Sequence, residues 1–577
     1  MIRLKRFNLG MFLFVAAFLW FILAFVVVPN FSIIKSVFFS ADGVSTERLQ
    51  AIVSSQRAVR GIKNSFLLAV TLPVTTTIIG ILEVLFLEYF DIKGRKLLKV
   101  AYMIPLVFGG VMLANGYMFT YGSRGFITTS LLTIFPHMNP AWFRGYGAVL
   151  FLMSFACTST YMIFFRNAFT NIDYQTIEAA RGLGSSDFKI LFKVVFPTLK
   201  PIFLTCTILL FQTGLMAMAA PLMIGGRDFE TISPLILTFT QRPSSRTLAA
   251  VLSFFLGLMQ LVLLYIIQRN ERKGNFLSIS KVKTTIKRVH IHSKPLNLLS
   301  HLTAYLFAFI NAIPLIVVLL FSFTDYQTIS SRHITLKSFS LENYQLILTS
   351  DTAYRPFVTS VFYATAASII VVLMMMVIAR FIFKYRNRFS TILEMLIHIP
   401  WVFPGLMFAL GLVMTYSHPH AIVFNNVLTG SLVIMLIAYV VVLMPKTFRF
   451  LKASYYGVDQ SLEDAAKILG AKPLYSYIKI VLPIILPTVL AMLAINFNGK
   501  LSDYDLSVFL YNPIAKPVGV VIRSNSSSES GIEGIALNFV YSVLLMAINS
   551  LVFFFVYADG KNTIKNLFNG RKTKNES

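Results

Sequence analysis

Six polar side chains crowd ten residues at the end of one apolar run: Asn496, Asn498, Lys500, Ser502, Asp503 and Asp505. Amides, an ammonium and carboxylates so placed suit three roles. They can line the wall of a translocation path, contact a protein docked outside, or form an outer loop where the run ends early. Glu83 lies deeper in another run. A charge at the bilayer centre costs ~2.5–3.5 kcal/mol on insertion scales, so Glu83 is expected to be paired within the protein, face water or be protonated. Glu88, Arg380 and Glu394 sit at run ends and fit placement at the membrane interface. The histidines do not assemble a metal site. His418 and His420 flank a proline, and His290 and His292 fall in a basic stretch. No histidine and carboxylate cluster has metal-ligand spacing, so no bound metal or other cofactor is expected. No GxxxxGK[ST] phosphate loop occurs, so any ATP hydrolysis falls to a partner. No nucleophile or acid–base pair is arranged for catalysis, and the chain is not expected to be an enzyme.

A second constellation is duplicated. Residues 173–201 read DYQTIEAARGLGSSDFKILFKVVFPTLKP, and residues 459–487 read DQSLEDAAKILGAKPLYSYIKIVLPIILP. They align without a gap at an offset of 286. Each predicts a helix, a turn and a second helix. Asp173 and Asp459 stand where an N-cap accepts bonds from free backbone N–H groups. Gly184 and Gly470 end the first helix, because glycine takes the left-handed conformation cheaply. Ala179-Ala180 and Ala465-Ala466 leave a low surface for another protein to approach, and Glu178 and Asp464 set a negative charge beside it. Pro197 and Pro483 mark re-entry into the membrane. Pro201 and Pro487 fall in the first turn of the next span, where a missing N–H does little harm.

The elements that position these residues follow from composition. The 577-residue chain is 56% hydrophobic and 13% charged, and its apolar residues fall in long runs. Runs of roughly 20 apolar residues span a bilayer as helices. Twelve spans are expected, at about 9–29, 66–88, 98–119, 146–166, 198–223 and 247–268, then 299–322, 357–382, 392–416, 427–448, 484–500 and 533–557. The leading apolar run lacks a small-residue cleavage site and reads as an uncleaved span. The net charge of +27 reflects basic residues at run ends rather than a nucleic-acid motif. Most lysines and arginines fall on one side if both termini are cytoplasmic, which also places both duplicated segments in the cytoplasm. The repeat extends further. Ile104-Pro105 through Gly110 parallels Ile399-Pro400 through Gly405 at an offset of 295. The reading is an all-α membrane protein of two parallel six-helix repeats, residues 1–268 and 299–577. A basic cytoplasmic linker, 269–298, is expected to be solvated and to face anionic lipid headgroups. Cys157 and Cys206 lie in or beside apolar runs and suggest no disulfide.

EAARGLG and DAAKILG, each with a proline thirteen residues after the last glycine, resemble the EAA motif of permease subunits in binding-protein-dependent ABC importers. The resemblance covers essentially the whole chain and implies a duplicated MetI-like permease fold in a bacterial cell membrane. It implies that the two segments are coupling helices docking on a cytoplasmic ATPase dimer, with Glu178, Ala179, Ala180, Gly184, Asp464, Ala465, Ala466 and Gly470 at the contacts. It implies an extracytoplasmic substrate-binding protein as a further partner. Asp464 is one methylene shorter than the usual glutamate, and Gly182 faces Ile468 across the alignment. The two docks are therefore expected to be unequal. Fusion of two halves, with Pro221 to Gly226, Thr231-Ile232-Ser233, Ala249-Ala250 and Asp505 to Tyr511, looks most like the ferric-iron type. Aminoalkylphosphonate, thiamine and polyamine importers are the alternatives within the class. A secondary transporter driven by an ion gradient is the alternative outside it, with Glu83 and the 496–505 cluster as its coupling candidates.

Overall fold

In lipid every backbone polar group must find a partner inside the chain, so long apolar runs have helix as their open solution. The computed structural model describes residues 9–40, 43–44, 47–106, 109–169, 174–273, 288–331, 335–385, 387–526 and 531–557. These are almost wholly helical, with one two-residue strand pair, Phe39–Ser40 against Gly43–Val44. Among the described residues nine helices are long and apolar enough to cross a membrane. Three bent helix pairs raise the number to twelve if each pair is one span.

Two of the expected spans, at 98–119 and 392–416, are bent pairs. Arg95–Leu106 and Gly110–Ile134 meet at 115°, and Arg388–Trp401 and Gly405–Tyr416 meet at 96°. Both breaks fall on the repeated proline and glycine motif around Pro105 and Pro400. Proline blocks a helical bond, and the following glycine starts a new helix from an extended residue. The span after each docking segment is also treated unequally. In the first half Asp187–Lys200 and Ile202–Leu215 meet at 61°, whereas the second half runs unbroken over Pro473–Leu501. A wide i→i+5 turn precedes both, at Leu191–Val195 and Tyr477–Val481. It sits where Pro197 and Pro483 cannot supply their N–H groups.

The chain forms two compact units. One comprises residues 45–349 and 522–543, and the other residues 1–44, 350–521 and 544–577. Packing thus groups the chain differently from the sequence repeat, which set residues 1–268 together and 299–577 together. The helix Lys294–Ser322 packs with first-half spans. Tyr102 donates to the Ala304 carbonyl at 2.8 Å, and Phe119 meets Phe321 at a centroid distance of 4.9 Å. Glu83 is fully buried in the same unit, where Asn311 of that helix donates to Oε1 at 3.0 Å.

The first span enters the other unit. Val15, Phe18, Ile22, Phe25 and Val26 join one apolar core with Tyr416, Tyr439 and Tyr455. Tyr416 Oη donates to the Ala24 carbonyl. The backbones approach so closely that a Cβ on Gly411 would stand 2.7 Å from the Pro29 carbonyl oxygen.

The described end of the linker differs from a solvated tether. Val289 exchanges backbone bonds with Tyr89 and Asp91, and Val289 and Ile291 are buried while His290 is exposed. A strand-like bridge beside Phe90 turns alternate residues inward. Linker residues 274–287 lie outside the described residues.

Candidate functional site

The first docking helix is Tyr174–Gly182 and the second is Gln460–Ile468. Asp459 caps the second, its carboxylate accepting from Ser461 N at 2.9 Å. That bond holds the Asp459 carboxyl below its ordinary range. Asp173 lies outside the described residues.

The C-termini are built alike. Ser185 N bonds to the Ala180 carbonyl at 3.1 Å and Gly184 N to the Arg181 carbonyl at 2.9 Å. Ala471 N bonds to Ala466 at 2.9 Å and Gly470 N to Lys467 at 3.0 Å. This paired pattern is the Schellman cap, and it needs a left-handed residue after the helix. Gly184 has φ 77° and Gly470 φ 82°. The caps leave Leu183 and Leu469 almost fully exposed, at 87% and 86%. An apolar side chain held out so far suits a pocket on another surface.

The alanine pairs divide by face. Ala179 and Ala465 are exposed, whereas Ala180 is half-buried and Ala466 is buried against its own chain. Glu178 and Asp464 are also exposed. Glu178 pairs with Arg181 at 2.8 Å, and Arg181 reaches Asp187 at 3.0 Å. Among the described residues Asp464 has no ion-pair partner. The two helices therefore present one carboxylate already engaged and one free.

The inner faces differ more. Ile177 is buried in an apolar core with Leu85. The aligned residues in the second half are Glu463 and Arg380, and they form a two-pronged ion pair. The Arg380 guanidinium also lies 5.7 Å from the Tyr477 ring centroid. Tyr455 and Tyr477 share a hydroxyl bond at 2.8 Å. Arg380 therefore anchors a docking helix rather than resting at the lipid interface. Glu394 is likewise paired, with Lys452. Sequence reasoning missed Glu463; the signal was a carboxylate three residues before Ala466, on the inward face of the helix.

The polar cluster falls in the last turns of the eleventh span, which runs through Leu501, and in the turn after it, and it separates into two kinds of residue. Lys500 is buried, donates to Asp503 at 2.8 Å and lies 4.9 Å from the Tyr439 ring centroid. Asp503 also accepts from Leu506 N at 3.2 Å and Ser507 N at 3.1 Å. These two groups satisfy each other and secure the turn that follows. Asn496 donates to Thr447 at 2.8 Å. Among the described residues neither amide atom of Asn498 has a hydrogen-bond partner. Asp505 lies beyond the span end at Leu501 and is exposed. Partial loss of hydration and the Asp503 charge push its carboxyl upward, Lys500 opposes them, and the exposed surface limits the shift. Among the described residues no group of three or more metal-ligating side chains gathers.

Helical spans, sharp proline breaks and two exposed, Schellman-capped helices define a polytopic membrane protein with a duplicated surface element. The family model for "Binding-protein-dependent transport system inner membrane component" matches residues 376–559. "Probable ABC transporter permease protein y4fN" of Sinorhizobium fredii is 34% identical over 92% of this chain and 93% of its own length. "Ferric transport system permease protein FbpB" of Actinobacillus pleuropneumoniae is 22% identical over 98% of this chain and 80% of its own length. "Putative 2-aminoethylphosphonate transport system permease protein PhnV" of Salmonella typhi is 25% identical over 28% of this chain and 57% of its own length. The chain belongs to the permease family of binding-protein-dependent ABC transport systems.

Proposed function

We propose that this chain forms the translocation path of an ATP-driven importer of the bacterial inner membrane, with both termini cytoplasmic. It takes cargo from an extracytoplasmic binding protein. The two docking helices seat on a pair of cytoplasmic ATPase subunits, which alone bind and hydrolyse ATP. The observation that carries this reading is the duplicated Schellman cap, which holds Leu183 and Leu469 outward at aligned positions of two otherwise diverged segments. Shifting a path from 1:99 inward to 99:1 outward takes about 5.5 kcal/mol of differential binding, a load that two docks can share.

Ferric iron is the proposed cargo, supported by full-length similarity to a ferric permease and by the fused halves. Asn498 and Asp505 are the proposed path residues, while Asn496, Lys500 and Asp503 brace the wall. An aminoalkylphosphonate is the second reading, supported by a relative matched over 160 residues. Glu178→Lys and Gly470→Val test the coupling. Both are expected to abolish uptake in cells while the chain still inserts in the membrane. Wild-type uptake by both variants, with normal ATPase recruitment, overturns the reading. The ligand that copurifies with the cognate binding protein decides the cargo: iron supports the first, and a phosphonate replaces it.

A further inference from the structure

One cavity of about 480 Å³ lies in the second-half unit, lined by residues of neither docking helix nor the polar cluster. It is lined by Glu394, His398, Phe448, Arg449, Lys452 and Tyr456, with Ala453 on its wall. The helix Leu432–Tyr456 supplies five of these seven residues and leads directly into the second docking helix. The cavity therefore opens at the docking end of the unit.

Its charge is not balanced. Lys452 and Glu394 pair with each other. Arg449 is exposed, lies 4.7 Å from the Trp401 ring centroid and has no carboxylate partner among the described residues. Lys446, one turn deeper on the same helix, is exposed as well and has no ion-pair partner among the described residues. The His398 ring is fixed by a 2.8 Å contact of Nδ1 with the Glu394 carbonyl, which leaves Nε2 available. The cavity thus holds an unengaged guanidinium, a shared ammonium and an imidazole nitrogen. Around them stand Phe448 and two residues, Trp401 and Tyr456, of the types that favour a membrane–water boundary.

The aligned positions of the first half carry a different set. Arg449 aligns with Ile163, His398 with Met103 and Trp401 with Leu106, while Lys452 aligns with Arg166 and Glu394 with Lys99. Both halves are basic at these positions, and the pairing of a guanidinium with an indole belongs to the second.

We infer that this pocket binds an anionic phosphate group, with Arg449 as its principal ligand and Lys452 as a supporting donor. A planar guanidinium donates two parallel bonds to phosphate oxygens, and a basic pocket at a helix end suits an anionic headgroup. Two sources share this chemistry: the headgroup of an anionic phospholipid and a free phosphate. Occupancy would bear on the helix that carries the second docking segment.

The test uses the full-length permease. Lipid retention is read by native mass spectrometry after exchange into detergent with phosphatidylglycerol or with phosphatidylcholine. Binding of radiolabelled inorganic phosphate is read by filter retention. The wild type should retain phosphatidylglycerol over phosphatidylcholine, and Arg449→Gln should lower that retention about tenfold, as expected for loss of one charge-assisted pair. Phosphate binding that falls about tenfold in the same variant identifies the free anion as the source instead. Ala453→Trp, which fills the cavity without touching a charge, should reproduce either loss and guards against misfolding of the first variant. Retention of both ligands unchanged in both variants overturns the inference. So does equal retention of the two lipids together with no phosphate binding.

Discussion

Asp505 is the carboxyl most sensitive to its surroundings in the polar cluster. Its carboxyl is pushed above the ordinary aspartate range, so over that interval the folded chain holds a proton that the unfolded chain releases. This residue's contribution therefore favours the fold at low pH and is lost as pH rises from the ordinary aspartate range toward neutrality. The thermal midpoint of the purified permease should fall over that window, and Asp505→Asn should flatten the slope. Uptake of a cationic cargo should depend on the ionised form and rise through neutrality in the wild type. A midpoint profile unchanged by Asp505→Asn would remove this account. At the same scale, Gly184 and Gly470 were legible because a capping glycine is a local signal, read within one turn of helix. Glu463 was not. Its partner Arg380 lies 83 residues away, and nothing in the spacing of either residue announces the other.

The docking helices show how one element can be anchored in two ways. Ile177 against an apolar core and Glu463 against Arg380 occupy aligned places. Removing one member of a largely buried ion pair strands the other charge, at a cost of roughly 3–5 kcal/mol for full burial. Arg380 and Glu463 retain 17% and 21% side-chain exposure, so ~1–3 kcal/mol is expected here. Arg380→Leu and Glu463→Ile should each lower stability by that amount and reduce ATPase stimulation. The double variant, which copies the first-half residues, should recover most of both. A double-mutant cycle on the thermal midpoint measures the coupling, and additivity of the two single losses would refute it. The bent spans belong to this scale too. Both proline and glycine motifs were visible as a repeat, but hydropathy alone counts apolar residues and is blind to direction. A run that turns through 115° therefore reads like a straight one.

At the scale of the whole molecule, the number of spans and the duplication were open to sequence, because length and periodicity record them. The composition of the compact units was not. Which run packs on which depends on surfaces such as the one at Gly411, where the Pro29 carbonyl leaves no room for a side chain. Gly411→Val should push the first span off its unit and cost several kcal/mol, on the order of an overpacked core substitution or more. Protease access to the segment after Phe38 should rise, while the unit built around Phe119 and Phe321 should keep its own melting behaviour. Unchanged proteolysis would argue against this packing.

The first span also has a history in time. It leaves the ribosome well before the residues it packs with, which begin near Ser350, more than 300 residues later. At roughly 5–20 residues per second, about fifteen seconds to a minute pass before they exist. Through that interval the span sits in the bilayer without the core of its own unit. Its exposed faces carry Leu13, Trp20, Leu23 and Phe31, residues that hydrocarbon tolerates well, so a helix that ends in protein can wait in lipid.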